Sequence, residues 1–337
     1  MSMFAFGRCL LHYLAKGGIR HLILHVTSHC NLRCPHCFVE FDRQNEMKLD
    51  EFQRIARDIG PLFWLDIGGG EPSLRNDLAD IVAAFAARVV QIPSNGMLPD
   101  QLIGQLDRLS TMTKAEVTVS LSLDGLQETH NRIRSTPNGW NQVWATFDLV
   151  KQRGLAVKIN TVLTKDNADE ILPLMREVKA RGADFHSIIP LRGEPRDPNA
   201  GLPDMAILQH LLPDILNELS SYTYAQNPLA AHILKNYHRY MWRLTMRILK
   251  ERRQVVPCLA GQAHWVVYSD GQVAPCEMLP PIGSLRNHAW HDVISSPPAT
   301  DQIAGIRGNM CYCTHNCALL DSILFNPRSL PALLLKP

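Results

Sequence analysis

Residues 21–37 read HLILHVTSHCNLRCPHC, so an apolar, β-branched run leads directly into three closely spaced cysteines. The run predicts a buried strand, and Cys30, Cys34 and Cys37 follow it at C-x3-C-x2-C spacing. Three thiolates on one tight loop can hold three corners of a [4Fe–4S] cube and leave one iron without a protein ligand. A structural zinc site is the alternative, but such sites usually close four ligands from paired knuckles. His36 has poor geometry for a fourth ligand because it directly precedes Cys37.

Outward from this stretch, short β-branched runs alternate with helical patterns, which is typical of a parallel sheet with crossover helices. Strands are predicted at 21–27, 62–67, 89–94, 116–123, 156–163 and 185–191. Helices are predicted at 49–59, 76–87, 99–110, 139–153 and 167–181. Six βα repeats without a seventh or eighth indicate an open, partial (β/α)6 TIM-like barrel. Its active site is expected at the C-terminal ends of the strands.

The remainder of the chain has a different pattern. A loop rich in Pro and Gly at 192–203 precedes two long helical stretches, about 204–222 and 228–253. Short strands, turns and five cysteines are predicted from 255 to 326. We therefore expect an α/β protein of four parts, which are an N-terminal segment 1–20, the partial barrel 21–195, a helical connecting segment 196–254, and a small cysteine-rich domain with the C-terminal tail 255–337.

Length and composition narrow the class of protein. The chain has 337 residues, about two domains' worth, with 46% apolar and 20% charged residues. Its 34 basic and 32 acidic residues give no global field for nucleic acid. No apolar run reaches the roughly 20 residues of a membrane span, and the N-terminus lacks a basic region typical of a signal peptide. We expect a cytoplasmic protein, and the clustering of most of its nine cysteines at two places suggests metal binding rather than disulfides.

The cysteine triplet at the end of a first barrel strand closely resembles that of the radical S-adenosylmethionine (SAM) enzymes. The resemblance implies that Cys30, Cys34 and Cys37 bind the catalytic cluster and that the open iron binds SAM. It also implies cleavage of SAM to methionine and a 5′-deoxyadenosyl radical, which takes a hydrogen atom from a substrate carbon. A flavodoxin- or ferredoxin-type protein would supply the electron. The family often has an aromatic residue where His36 stands, so contact with adenine could differ here.

Further motifs resemble the family in the same order. Each motif is weak evidence alone. Taken alone, the segments GGGEP at 68–72 and SNG at 94–96 would indicate only turns. Strand alternation puts Ser120, Ser122 and Asp124 on one face, and Arg134 suits a bidentate contact with a carboxylate. Over residues 20–195, the resemblance implies SAM contacts from His36, Gly69, Gly70, Glu71, Ser94, Asn95, Ser120, Ser122, Asp124, Arg134, Asn160, Val162 and Leu191.

A second group of cysteines lies beyond the barrel, at Cys258, Cys276, Cys311, Cys313 and Cys317. The Asp270-Gly271 pair between β-branched runs predicts a hairpin that returns Cys276 toward Cys258. This pattern resembles the auxiliary-cluster domain called SPASM, or its shortened form twitch. The resemblance implies one auxiliary [4Fe–4S] cluster on Cys258, Cys276, Cys317 and one of Cys311 or Cys313. A structural zinc that includes His315 is the alternative.

One thiol of this group is left over, and it could donate a hydrogen atom to a substrate radical, act as a fifth ligand, or be inert. Cys9 is expected to be a buried hydrophobic residue. Aromatic and basic residues interleave at 237–253. Because the net charge is near zero, we favour a helix with buried aromatics and solvated charges over an RNA-binding one.

The resemblance implies an enzyme that modifies a ribosomal peptide or natural-product precursor. A small-molecule alcohol or sugar dehydrogenase of the same superfamily is the alternative within the class. A non-catalytic iron–sulfur or zinc scaffold is the alternative outside it. Only about twenty residues precede the first strand, so no separate leader-binding domain is expected there, which counts against a peptide. Nothing in the sequence names the substrate.

Overall fold

The computed structural model describes residues 3–41, 43–223 and 228–335. A first helix, α1 (Met3–Lys16), precedes a parallel sheet whose strands follow the order of the chain. The parallel strands are β1 (His21–Thr27), β2 (Leu62–Gly69), β3 (Ala87–Ser94), β4 (Glu116–Ser122), β5 (Ala156–Leu163) and β6 (Phe185–Pro190). Each pairs with the next in parallel register. The predicted α/β fold with consecutive parallel strands is confirmed.

Helices connect these strands and cover them. They are α2 (Leu49–Ile59), α3 (Leu78–Ala84), α4 (Pro99–Met112), α5 (Gln127–Arg134), α6 (Gly139–Gln152) and α7 (Ile171–Ala180). All seven residues of β1 are buried, as expected for a parallel strand that is covered on both faces. Leu22 and Leu24 of β1 belong to the same apolar core as Phe52 and Ile55 of α2. This packing fixes the strand that leads into the first cysteines.

The C-terminal region extends the sheet at the edge of β1. Strand β7 (His264–Val267) pairs with β1 in parallel, with His264 opposite His21. Strand β8 (Gln272–Ala274) pairs antiparallel with β7, and β9 (Gly283–Ser284) with β8. The predicted hairpin is therefore confirmed. Within the described ranges the sheet runs β6-β5-β4-β3-β2-β1-β7-β8-β9, so barrel and cysteine-rich region share one sheet.

The remaining helices follow β6 and the C-terminal strands in the chain. They are α8 (Met205–Ser220), α9 (Pro228–Glu251), α10 (Trp290–Ile294), α11 (Pro297–Arg307), α12 (Asn316–Leu324) and α13 (Leu330–Leu334). Tyr237 and Trp242 of α9 are buried with Leu319 and Ile323 of α12. The aromatics of α9 thus pack inward, as expected. Residues 224–227 between α8 and α9 lie outside the described residues. None of the helices in the described ranges is long and apolar enough to cross a bilayer.

Several helices differ from the sequence prediction. Helix α5 was not predicted, because its buried Thr129, His130 and Arg134 are polar and give no apolar period. The predicted helix at 76–87 is too long, since Ala87 pairs with Leu62 as the first residue of β3. Helix α1 and the C-terminal helices were also missed. The helices α10 to α13 are 5 to 11 residues long, and such short segments carry little periodic signal.

Buried histidines make the fold sensitive to acid. His186 of β6 is fully buried and its Nε2 lies 2.7 Å from Thr161 Oγ1. Burial lowers the pKa of His186 to about 3, whereas the unfolded chain has a His pKa of about 6.5. Between these values the unfolded state binds a proton that the folded state does not. Stability is therefore full above pH 6.5 and falls as the pH drops toward 3.

We expect the His186→Gln variant to lose less stability on acidification than the wild type. Between pH 7 and pH 5 the wild type should lose about 2 kcal/mol more unfolding free energy than the variant, because each bound proton changes stability by about 1.4 kcal/mol per pH unit. Denaturant unfolding under anaerobic conditions at both pH values measures the difference. An equal loss in both proteins would contradict a buried neutral His186.

Candidate active site

The C-terminal ends of the parallel strands surround one cavity of about 270 Å³. Most of the residues predicted from the sequence line it. They are Cys30, Cys34, His36, Cys37, Gly69, Gly70, Glu71, Ser94, Asn95, Ser122, Arg134, Asn160, Val162, Leu191 and Cys317. Ser120 and Asp124 are fully buried and do not line it. Segments far apart in the chain therefore contribute to one site.

The first cysteine loop presents three thiols to the cavity. The amide of Leu32 donates to Cys30 Sγ at 3.4 Å, and the amide of Cys37 donates to the carbonyl of Cys34 at 3.2 Å. Burial raises the pKa of Cys30 and of Cys37, and the nearby charge of Cys34 adds to both shifts. Three soft ligands on one loop beside an open cavity fit a [4Fe–4S] cluster with one iron free for another ligand.

Two glycines allow β2 to end against this loop. Gly69 has φ +108°, and a Cβ there would overlap the carbonyl oxygen of Thr27. A Cβ on Gly70 would overlap the carbonyl oxygen of His29. The amide of Gly70 instead donates to Thr27 O at 2.8 Å. Only glycine permits this close approach, so the GGGEP turn and the cysteine loop are one packed unit.

Glu71 holds strand ends together. Its carboxylate accepts hydrogen bonds from the amide of Asn95 at 2.7 Å, from Ser94 Oγ at 2.9 Å and from Ser73 Oγ at 2.7 Å. Burial raises the pKa of Glu71, and these donors oppose the shift. Since its oxygens already have partners, the backbone of Gly69 and Gly70 is the freer group for an ammonium. Glu71 is a positioning residue in this geometry.

A buried ion pair places a guanidinium at the cavity. Asp124 Oδ2 accepts from Arg134 Nε at 2.8 Å and from Nη2 at 2.6 Å, and Oδ1 accepts from the amide of Val162 at 2.8 Å. Burial alone would raise the pKa of Asp124, but Arg134 and His36 hold it below its usual value. Burial, assisted by the charge of Arg134, lowers the pKa of His130 to about 4. Asp124 thus fixes Arg134, which lines the cavity.

Buried polar atoms at the site have no hydrogen-bond partner among the described residues. They include His36 Nδ1, Ser120 Oγ and Asn160 Oδ1. Such atoms are costly unless a ligand or water satisfies them. His36 and Asn160 line the cavity, so a polar ligand with donors and acceptors fits beside the three thiols. These are the properties that SAM binding requires.

The inner side of the site holds charged residues that the sequence analysis missed. Asp66 lines the cavity, and its Oδ2 lies 3.1 Å from His21 Nε2. His21 Nδ1 lies 2.9 Å and His264 Nδ1 2.8 Å from Asp321 Oδ2. Burial lowers the pKa of His21, but Asp321 and Asp66 outweigh it and raise the value to about 10. Asp66 could have been noticed in the sequence, because it is an acidic residue inside the apolar run of β2.

Glu277 joins the C-terminal region to the cavity, which it lines. Its Oε1 lies 2.8 Å from His25 Nε2, and its Oε2 contacts His315 Nε2. Burial opposes ionisation of Glu277, but these contacts hold its pKa well below the usual range. No sequence pattern indicated this role, since Glu277 simply follows Cys276. The contacts tie β1, the Cys276 turn and the start of α12 into one wall.

Four of the five C-terminal cysteines lie close together. Burial and the nearby Cys313 and Cys311 raise the pKa of Cys258 to about 12. Burial, Cys313 and Cys258 likewise raise the pKa of Cys276 well above its usual range. Cys258, Cys276 and Cys311 also share one apolar cluster. Four neighbouring thiols fit an auxiliary iron–sulfur cluster.

Cys317 departs from the ligand set expected from the sequence. It packs against a different cluster that contains Ile23 and Val266, and its thiol donates to Asp66 Oδ2 at 3.5 Å. Burial and then Asp66 raise the pKa of Cys317 well above its usual range. The physical reason is the start of α12, which turns Cys317 toward the cavity while Cys313 stays with Cys258. In this structure Cys317 is therefore the thiol that lies apart from the other four, and which cysteines bind the auxiliary cluster stays a prediction.

These features define an enzyme with iron–sulfur sites at the mouth and flank of an α/β sheet. The chain belongs to the radical SAM superfamily, whose model matches residues 24–178. The model of SPASM, an iron–sulfur cluster-binding domain, matches residues 258–318. The protein is a radical SAM enzyme that uses a [4Fe–4S] cluster and SAM, with auxiliary iron–sulfur binding in its SPASM domain.

Curated relatives differ in what their names describe. The molybdenum cofactor biosynthesis protein 1 of Drosophila melanogaster is 30% identical over 50% of this chain and 31% of its own length. An AdoMet-dependent heme synthase of Nitratidesulfovibrio vulgaris is 26% identical over 80% of this chain and 76% of its own. The subtilosin biosynthesis protein AlbA of Bacillus subtilis is 24% identical over 82% and 60%. The chain thus spans about a third of the fly protein.

Solved structures share the fold. The chain matches Streptococcus suis SuiB, crystallised with the precursor peptide SuiA, with a TM-score of 0.64 and 19% identity. The match covers 89% of this chain and 70% of SuiB. At this identity the likeness establishes the fold alone, and not the substrate.

The cysteine grouping predicts distinct iron contents. After anaerobic reconstitution we expect about eight iron atoms per wild-type chain, from two [4Fe–4S] clusters. Cys313→Ala should fall to about four, because one cluster loses a ligand, while Cys317→Ala should keep about eight. Iron and sulfide assays measure both. If Cys317→Ala loses about four and Cys313→Ala loses none, the grouping in the structure is wrong.

Proposed function

We propose that this enzyme modifies a side chain or backbone carbon of a ribosomally made peptide or natural-product precursor. The single observation that carries the proposal is the cavity itself. It joins the thiols of the first cysteine loop, the fixed guanidinium of Arg134 and an apolar mouth in one space. Its mouth is lined by Phe38, Phe41 and Leu191, which suits an amino-acid side chain better than an alcohol or a sugar.

Each part of the chain has a defined role in this proposal. When bound, the cluster supplies the electron that cleaves SAM and generates the radical that takes hydrogen from the substrate. Cys30, Cys34 and Cys37 hold it. Arg134, oriented by Asp124, pairs with the SAM carboxylate, because its planar fork matches a carboxylate. Asn160 and the Ser122 hydroxyl, which both line the cavity, offer polar partners for the nucleoside. The apolar mouth excludes water from the reacting centre.

The loop after β6 packs against the cysteine loop beside the cavity. The amide of Arg196 donates to the carbonyl of Cys37 at 2.9 Å, which ties the loop after β6 to the cysteine loop. Arg192 lies over the Phe38 ring at 5.1 Å, and Arg196 over the Phe41 ring at 4.1 Å. Aromatic and guanidinium groups together form an adaptable surface for a peptide. The names of AlbA and of the SuiB complex support the same substrate class.

A small carboxylated molecule is the second candidate. The heme synthase relative matches more of its own length than AlbA does. Arg192 at the cavity could pair with a substrate carboxylate. Reduction by a flavodoxin- or ferredoxin-type protein belongs to either version. For both candidates we also propose the four-part division of the chain and a cytoplasmic location.

The first experiment measures 5′-deoxyadenosine formed anaerobically from SAM and dithionite by the reconstituted protein. We expect product from the wild type and from Cys9→Ala, because Cys9 lies on α1 and does not line the cavity. Cys34→Ala should form none, because it removes a cluster ligand. Peptides encoded beside the gene are then added and their mass is followed. A mass change supports the peptide proposal, whereas turnover with carboxylated tetrapyrroles alone would replace it with the second candidate.

Arg134→Lys tests the proposed carboxylate contact. Lysine keeps the positive charge beside Asp124 but loses the paired donors, so SAM should bind about 10- to 100-fold more weakly, the equivalent of roughly 1.5–3 kcal/mol. Equilibrium dialysis of SAM against the reconstituted protein gives the affinity. Arg132→Lys is the matched control, since Arg132 lies on the same helix and is exposed. Equal affinities for both variants would rule out this role for Arg134.

A further inference from the structure

We propose that His21, Asp66 and Cys317 form a Zn²⁺ site at the inner wall of the cavity, separate from both iron–sulfur sites. The three residues come from β1, β2 and α12. Their ligand atoms all lie within 4.8 Å of one another. The site does not rest on the proposed substrate, and neither family resemblance nor the comparisons assign it.

The atom separations suit one tetrahedral ion. Asp66 Oδ2 lies 3.1 Å from His21 Nε2 and 3.5 Å from Cys317 Sγ. Zinc bonds of about 2.0–2.3 Å at tetrahedral angles put ligand atoms roughly 3.3–3.5 Å apart. The separation between the Cys317 thiol and the His21 ring nitrogen is also within 4.8 Å. The carboxylate–thiol distance matches the spacing for zinc, and the carboxylate–imidazole distance is about 0.2 Å shorter than it.

His21 Nε2 supplies an independent observation. The ring is fully buried, and Nε2 has no aligned hydrogen bond to any described residue although Asp66 is close. A ring nitrogen and a carboxylate oxygen that approach without hydrogen-bond alignment are arranged as two ligands of one ion would be.

The opposite ring nitrogen has the partner that a metal-binding histidine needs. His21 Nδ1 lies 2.9 Å from Asp321, which is fully buried and also contacts His264. A carboxylate on the second nitrogen fixes the ring orientation and strengthens the ligand. Asp321 therefore acts as a positioning residue for His21.

The charge balance favours a divalent ion. On binding, Zn²⁺ displaces the proton on His21 Nε2 and the thiol proton of Cys317, and both protons pass to solvent. Two positive charges leave and two arrive, so the buried network keeps its net charge. A mixed set of imidazole, carboxylate and thiolate suits Zn²⁺, whereas Mg²⁺ and Ca²⁺ prefer oxygen ligands alone.

Three protein ligands leave the fourth position open. Asp66 and Cys317 line the cavity, so the open position faces the space that a substrate would occupy. Zinc there could bind a thiolate or carboxylate of the substrate and hold it for hydrogen abstraction. The site would then select substrates that carry such a group.

The test measures zinc on the fully iron-loaded protein after incubation with micromolar zinc and gel filtration. We expect about one bound zinc per wild-type chain. The zinc affinity of Cys317→Ser and of Asp66→Asn should be about tenfold or more weaker, while their iron content stays unchanged. Asp321→Asn should bind zinc about 10- to 100-fold more weakly. Cys9→Ser is the matched control and should keep its zinc. Unchanged iron shows that the variants fold.

X-ray absorption at the zinc edge identifies the ligands. We expect one sulfur at about 2.3 Å together with nitrogen and oxygen neighbours. A shell of four sulfurs would place the zinc in the cluster cysteines and overturn the proposal. So would a wild type that retains no zinc, or a Cys317→Ser variant that retains all of it.

Discussion

The pairing of β7 with the edge of β1 is the interaction on which the rest of the site depends. It sets His264 beside His21 in register and removes an exposed edge from a buried strand. The chain that leaves β8 then carries Glu277 to His25, and α12 returns Cys317 and Asp321 to the same edge. One row of backbone hydrogen bonds therefore brings the SPASM domain against the radical SAM cavity.

Burying the charged groups of this site costs free energy. Asp66, Asp124, Glu277 and Asp321 carry buried carboxylates, and isolating even one from water costs several kcal/mol. Each is matched by a cation or imidazole at 2.6–3.1 Å. Apolar residues of similar size would stabilise a core at least as well. Asp66 and Glu277 line the cavity, and Asp124 and Asp321 contact side chains around it, so charges kept at this cost point to chemistry more than to fold stability.

Two site residues show how geometry changed their expected roles. The motif alone gave Glu71 a direct SAM contact, yet its carboxylate holds Ser94 and Asn95 in place. Asp124 was expected to face SAM on its strand, but it is fully buried and orients Arg134 instead. The sequence placed both residues in the correct part of the site. It could not show which of their atoms were already engaged, because those partners lie on other strands.

The sequence by itself determined the parallel strands, the first cysteine loop and the glycine turn after β2, because period and spacing are local properties. The tertiary structure decided which cysteines group together and what faces the cavity. His21 and Asp321 are 300 residues apart, and Cys317 and Asp66 are 251 apart. Contacts across such distances leave no pattern in a single sequence. They arise only when β7 has joined the sheet and α12 has packed behind it.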